Sequence, residues 1–152
     1  MTLDLRNPGD LQVTMVDLLK GVLEDLPEVI TGISTILDAN HLFQVSPEDK
    51  RTLLNKERAK VFHHTVEHLI FFMSRARKDI KISMEFLCTQ VRIPDEDDWG
   101  NLVRALRYII GNLHLPLILR SNSLSVIKWW VNASFAAHPY CKCHTGAMMS
   151  KG

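Results

Sequence analysis

The chain has 152 residues, 46% apolar and 23% charged, a balance that supports a buried core and excludes wholesale disorder. The net charge of +1 excludes a uniformly basic nucleic-acid binder, so any such role falls to local patches. The three cysteines (Cys88, Cys141 and Cys143) are too few and too odd for a disulfide framework. The start Met1-Thr2-Leu3-Asp4-Leu5-Arg6 lacks the character of a signal peptide, and no apolar run approaches the roughly 20 residues that span a bilayer. These features lead us to expect a cytoplasmic or nuclear protein, not secreted and without a membrane partner.

Residues 1–14 alternate polar and apolar side chains on both sides of Asn7-Pro8-Gly9-Asp10, which predicts a β-hairpin around a turn. The alternation places Leu3 with Leu5, and Leu11 with Val13, on single faces. From Met15 the spacing turns helical: Met15, Leu18, Leu19, Val22, Leu23 and Leu26 recur at i, i+3, i+4 and i+7. Thr14 and Asp17 are placed as a capping pair, and Pro27 as the stop. Residues 28–54 are irregular, with a loop at Pro47-Glu48-Asp49.

Residues 55–77 carry a long helical stripe of Val61, Phe62, Val66, Leu69, Ile70 and Met73, closed by Arg75-Ala76-Arg77-Lys78 at the negative end of the helix dipole. A second helix is predicted over Asp79 to Val91. A third, over 94–111, opens on Pro94 and four acids, carries Trp99, Leu102, Val103, Leu106, Ile109 and Ile110, and closes at Gly111. Beyond residue 115 the period becomes strand-like over Leu115–Leu119, Val126–Val131 and Thr145–Met149. Two adjacent indoles, Trp129 and Trp130, with β-branched Ile127 and Val131, suit a pleated and largely buried strand ending at Asn132. The fold class is therefore α+β: an N-terminal hairpin, a helical bundle and an unfinished sheet.

Several constellations carry candidate chemistry. His64-Thr65-Val66-Glu67-His68 has the H-x-x-E-H spacing that puts two imidazoles on one helix face, where they could share a zinc ion. The plainer reading is a polar helix edge, and the third ligand is not evident. Cys141-Lys142-Cys143-His144 could form a metal clip, but C-x-C is not the usual ligand spacing and no second pair closes the site, which favours reduced cysteines in a turn. Asp95-Glu96-Asp97-Asp98 reads as capping and dipole compensation, because consecutive helical residues do not converge on one ion. Basic residues gather as Arg75, Arg77, Lys78 and Lys81, and again as Arg104 and Arg107. They read equally as a solvated face or as contacts to a phosphate backbone. Phosphate-binding glycine loops and a nucleophile elbow are absent from the sequence.

Trp129-Trp130-Val131-Asn132-Ala133-Ser134-Phe135, followed by Ala137-His138-Pro139 and His144-Thr145-Gly146, resembles the copia-type (pseudovirus) retrotransposon polyprotein where reverse transcriptase passes into RNase H. Phe86-Leu87-Cys88-Thr89, Pro94 to Trp99 and Leu106 to Gly111 resemble the helices just upstream. Ala39-Asn40-His41-Leu42-Phe43 and Thr2 to Leu5 resemble the segment after the polymerase palm. The resemblance implies a primer-grip-like palm hairpin at 1–14, a helical thumb at 15–92, a connection at 93–124 and the first RNase H strands at 125–152.

It implies further that the palm aspartates of the RNA-directed DNA polymerase would lie before Met1 and most RNase H carboxylates beyond Gly152. Asn132 stands where the family carries a metal-binding aspartate, and a neutral amide does not replace a carboxylate on two divalent cations. The expectation is a fragment or degenerate remnant, inactive alone, with no cofactor of its own and magnesium reserved for the intact parent enzyme. Its expected partner is an RNA–DNA or DNA duplex, bound weakly through Arg75, Arg77, Lys78, Lys81, Arg104 and Arg107. The alternative is a catalytically silent interaction module, in which Leu3, Leu5, Trp129 and Trp130 promote self-association or association with an intact polymerase.

Overall fold

The computed structural model describes residues 1–37, 45–120, 125–134 and 144–151. The segments containing Ala39–Phe43, Ser121–Ser123, Phe135, Ala137–Pro139 and Cys141–Cys143 lie outside the described residues. Among the described residues, four α-helices and two small antiparallel sheets give an α+β fold. In chain order they are β1 (Thr2–Asp4), β2 (Asp10–Thr14), α1 (Val16–Glu24), α2 (Lys56–Arg75), α3 (Lys81–Gln90), α4 (Glu96–Gly111), β3 (Leu117–Arg120), β4 (Ile127–Ser134) and β5 (His144–Lys151). Short 3₁₀ turns fall at Glu48–Lys50 and Lys78–Ile80.

The predicted N-terminal hairpin is present. Asp10 N–H donates to the Asn7 carbonyl at 3.0 Å, and Gly9 takes φ +84° between them. That positive φ after Pro8 is what a type II turn demands and what a side chain would resist. The hairpin does not stand alone. β3 pairs antiparallel with β2, setting Leu119 opposite Leu11 and Leu117 opposite Val13, and Arg120 clasps Asp10 at 2.6 and 2.8 Å. The order is β1-β2-β3, with β4 and β5 paired separately. The strands expected beyond residue 115 are thus divided between two sheets, the first joining the N-terminal hairpin and the later two pairing with each other. Helix α4 brings the chain back beside its own N-terminus, where β2 offers a free edge.

The helices follow the periodicity, with local differences at their ends. Thr14 does not cap α1, because it remains in β2, paired with Thr2; the capping position falls to Met15, without a side-chain bond. Asn55 caps α2 by accepting from Arg58 N–H at 2.8 Å. The second predicted helix begins as the 3₁₀ turn and becomes α-helical at Lys81. At α4 the Asp95 carboxylate accepts from Asp98 N–H at 2.9 Å and the Asp98 carboxylate from Asp95 N–H at 3.0 Å. This reciprocal box satisfies two otherwise orphaned donors and matches the capping reading of the acidic run.

The core lies among the helices. Leu19 of α1, Phe62, Val66, Leu69 and Phe72 of α2, Met84 and Leu87 of α3, and Leu102, Leu106 and Ile109 of α4 are buried together, with Val13 of β2 sealing one side. Each such large side chain contributes about 1.5–3 kcal/mol of transfer free energy. Two connecting segments are stapled onto α4. Leu54 N–H reaches the Pro94 carbonyl and Glu96 N–H the Thr52 carbonyl, both at 3.0 Å, while Arg51 bonds Asp95 at 2.8 Å. On the other flank Trp99 Nε1 donates to Glu28 at 3.1 Å and Arg107 Nε to the Thr31 carbonyl at 2.9 Å. Among the described residues no helix is long and apolar enough to cross a membrane.

Candidate nucleic-acid interface

The six basic side chains singled out by the sequence do not act alike. Arg77 is buried, at 2% exposure. Its Nε and NH2 groups grip Asp79 at 2.8 and 2.7 Å, and NH1 donates to the Asn112 carbonyl at 2.8 Å. The guanidinium also lies 5.7 Å from the Tyr108 ring centroid. Burial alone would raise the Asp79 carboxyl; the Arg77 bonds, helped by a backbone N–H and the Tyr108 hydroxyl, outweigh it and hold Asp79 below the usual carboxylate range. Arg77 is thus an internal tie between the α2–α3 corner and the end of α4. Its three bonded nitrogens are engaged inside the protein, and the side chain is 2% exposed, which sets it apart from the surface cations of the same run.

Arg107 is exposed, but its Nε is engaged by Thr31 and its carbonyl accepts from Ser34 N–H at 3.3 Å. It fixes the segment that crosses α4. Arg104, one turn earlier, is exposed, and no described residue pairs with it.

The remaining three stand close together at the α2–α3 corner. Arg75 lies with its guanidinium 3.9 Å from the centroid of the exposed Phe71 ring, as residues four apart on a helix allow. Lys78 donates to the Ser74 carbonyl. Its amine is held below its ordinary value, first by partial burial and then by the positive charges of Lys81 and Arg75. Lys81 opens α3 and reaches Glu85 at 3.5 Å. With Arg77 already matched to Asp79, this corner keeps more positive charge than its own acids neutralise.

The β4–β5 hairpin stands beside this corner. Trp129 pairs with Met149, Trp130 with Met148 and Asn132 with Gly146. Directly paired residues share a face and successive residues alternate. One face therefore carries Ile127, Trp129, Val131, Ala147 and Met149, and the other Lys128, Trp130, Met148 and Gly146. The second face meets the helical body: Lys81 Nζ would stand 3.6 Å from a Cβ built on Gly146. An open groove of about 560 Å³ runs between them, lined by Lys81, Trp130, Gly146 and Met148 with the neighbouring strand residues.

The two indoles are not buried as the strand composition suggests: Trp129 is 63% and Trp130 48% exposed, since the helical body faces the Trp130 side only in part and no described element packs on the Trp129 side. β4 also continues to Ser134, so the Asn132 position lies inside the strand rather than at its end. The sequence did not single out Phe71 or Lys128. The only available signals were the four-residue spacing of Phe71 to Arg75 and the alternation that sets Lys128 on the Trp130 side.

The other candidates resolve more simply. The His64 and His68 rings pack edge to face, with centroids 4.2 Å apart at 74°, beside a groove of about 490 Å³ between α1 and α2 that also meets Asp25, Lys60 and His63. Among the described residues no group of three or more His, Cys, Asp or Glu side chains is arranged to hold a metal ion. The acidic start of α4 brings the Asp95 and Asp98 carboxyl groups together in the capping box. Burial first, and then the negative charge of Asp95, push Asp98 up to about 6, against bonding from the Asp95 box. Burial also works to raise Asp95, but the Asp98 backbone N–H and Arg51 overcome it and hold Asp95 low.

Comparison of the chain with protein-family models, with curated proteins and with solved structures finds no match.

Proposed function

We propose that this chain is a catalytically silent piece of a copia-type reverse transcriptase, running from thumb through connection to the opening of RNase H, that binds nucleic-acid duplex weakly and in a salt-sensitive way. The observation that carries the binding reading is the group Arg75, Lys78 and Lys81 at the α2–α3 corner, the first two exposed and Lys81 half-buried, with Glu85, 3.5 Å from Lys81, as the carboxylate paired to it among the described residues. A helical corner bearing more cations than paired carboxylates is the kind of feature that takes up backbone phosphates and releases their counterions. The layout of hairpin, helical body and terminal antiparallel strands is compatible with the proposed origin. Silence follows from Asn132 at the position where the resemblance expects a carboxylate.

A fluorescence-polarisation titration against an RNA–DNA hybrid at low and moderate salt tests the binding. Saturable binding that weakens steeply with salt supports it; none at low salt removes it.

A second reading is favoured by the outer face of β4–β5. Ile127, Trp129, Val131 and Met149 are all exposed there, a contiguous apolar surface of the kind that mediates association. On this reading the chain pairs with itself or with an intact polymerase. Sizing chromatography across a concentration series discriminates, since a monomer at every concentration argues against self-pairing.

A further inference from the structure

The groove between the start of α3 and the inner face of the β4–β5 hairpin combines features that the duplex reading does not use. Its wall is an indole, Trp130, about half exposed. Its opposite wall is the Lys81 ammonium, with Lys78 and Arg75 close enough to act on one another electrostatically. Lys128 lies on the same strand face as Trp130, two residues away. The floor is kept low by Gly146, where no side chain stands between the strand and Lys81. At about 560 Å³ the space falls within the size range of small-ligand sites and accommodates one planar base.

An aromatic wall flanked by cations suits a nucleotide whose base has a free π-face and whose phosphates are within reach. A base inside an intact duplex is already stacked on both sides and would have to be pulled out at considerable cost. An unpaired base offers its face without that cost. A simple anion would use the lysines but leave Trp130 without a role.

We propose that this groove is a stacking site for an unpaired nucleotide, with the base against Trp130 and Met148 and the backbone phosphates at Lys81, Lys78 and Lys128. The proposal rests on the nucleic-acid reading of the same corner and narrows it: the chain prefers single strands, or the frayed end of a duplex, over fully paired nucleic acid.

The test compares a short fluorescein-labelled oligothymidylate with a blunt-ended duplex of the same strand length, each titrated at low salt with the full chain. The wild type is expected to bind the single strand more tightly. Trp130→Ala weakens single-strand binding roughly tenfold, the scale of one base–aromatic contact, while duplex affinity stays within about twofold. Trp130→Phe restores most of the loss. Gly146→Val provides a variant that removes neither ring nor charge. A β-branched residue suits the strand, its Cβ meets only the flexible end of Lys81, and the added methyls fill the groove, so single-strand binding falls while the duplex is retained. If the wild type binds duplex but not oligothymidylate, or if both Trp130→Ala and Gly146→Val bind the single strand as the wild type does, the stacking site is overturned and the duplex reading stands. If neither probe binds at low salt, both fall together.

Discussion

Replacing Arg77 by methionine separates an internal tie from a surface contact. The substitution keeps an unbranched apolar stem but removes the guanidinium and its three bonds: two to Asp79 at 2.8 and 2.7 Å and one to the Asn112 carbonyl at 2.8 Å. Removing one partner of a buried ion pair costs about 3–5 kcal/mol, mostly through the charge left behind. Asp79 keeps the Tyr108 hydroxyl at 3.2 Å, and its side chain is 31% exposed, so water can resolvate part of it. The Asn112 carbonyl keeps the Leu115 N–H at 3.1 Å. Both facts place the loss at the low end, about 3 kcal/mol. With a urea dependence of about 2 kcal/mol per molar, the midpoint of unfolding falls by roughly 1.5 M. Urea melts followed by circular dichroism measure this, and Arg77→Met/Asp79→Leu should recover part of the loss, because no charge is then stranded. An Arg77→Met variant that melts as the wild type does and instead loses nucleic-acid affinity with a shallower salt dependence would make Arg77 a phosphate contact rather than an internal tie.

The Asp95–Asp98 box makes stability depend on pH with a defined sign. Asp98 rises from 3.8 to about 6 on folding, so its contribution is fully present below pH 3.8 and is lost as pH rises through about 6. Asp98→Asn, permanently neutral, should therefore gain on the wild type in thermal melts as pH is raised from 4 to 7.5; a gap that stays constant or moves the other way contradicts this. Asp95, held low, acts with the opposite sign, and its contribution disappears as pH falls below its usual range. Asn132→Asp should produce no hybrid cleavage in a magnesium-supplemented RNase H assay, since one restored carboxylate does not assemble a two-metal site; cleavage would overturn the proposed silence.

Helices were legible because burial on one side imposes a period that the side chains repeat. Phe62, Val66, Leu69 and Met73 of α2, and Trp99, Leu102, Leu106 and Ile109 of α4, are buried as the stripe predicts. The turn at Pro8-Gly9 and the acidic opening of α4 were legible because a local backbone requirement selects the residue. Strand partnership was not. Nothing near Leu117 in the sequence indicates that its partner is Val13, more than a hundred residues away, since pairing is decided by where α4 delivers the chain. The basic run 75–81 was visible as charge but not as geometry. Arg77 follows Ala76 onto the buried side of the corner, while Arg75 and Lys78 remain outside; Asp79, two residues on, was the one clue to its partner. Trp129 and Trp130 were misjudged because strand composition reports what a pleated surface tolerates, not whether a second layer covers it.

On the proposed function, the cations at the α2–α3 corner hold phosphates. This reading is tested most directly by the slope of log affinity against log salt for an RNA–DNA hybrid, measured for the wild type and for a variant carrying Arg75→Gln, Lys78→Gln and Lys81→Gln. Each neutralised phosphate contributes about 0.9 to that slope in duplex DNA. The wild type is predicted to bind saturably at low salt, and the triple variant to bind more weakly with a slope shallower by about 2 to 3. A wild type that shows no saturable binding at low salt, or a triple variant with an unchanged slope, would mean that these cations do not hold phosphates.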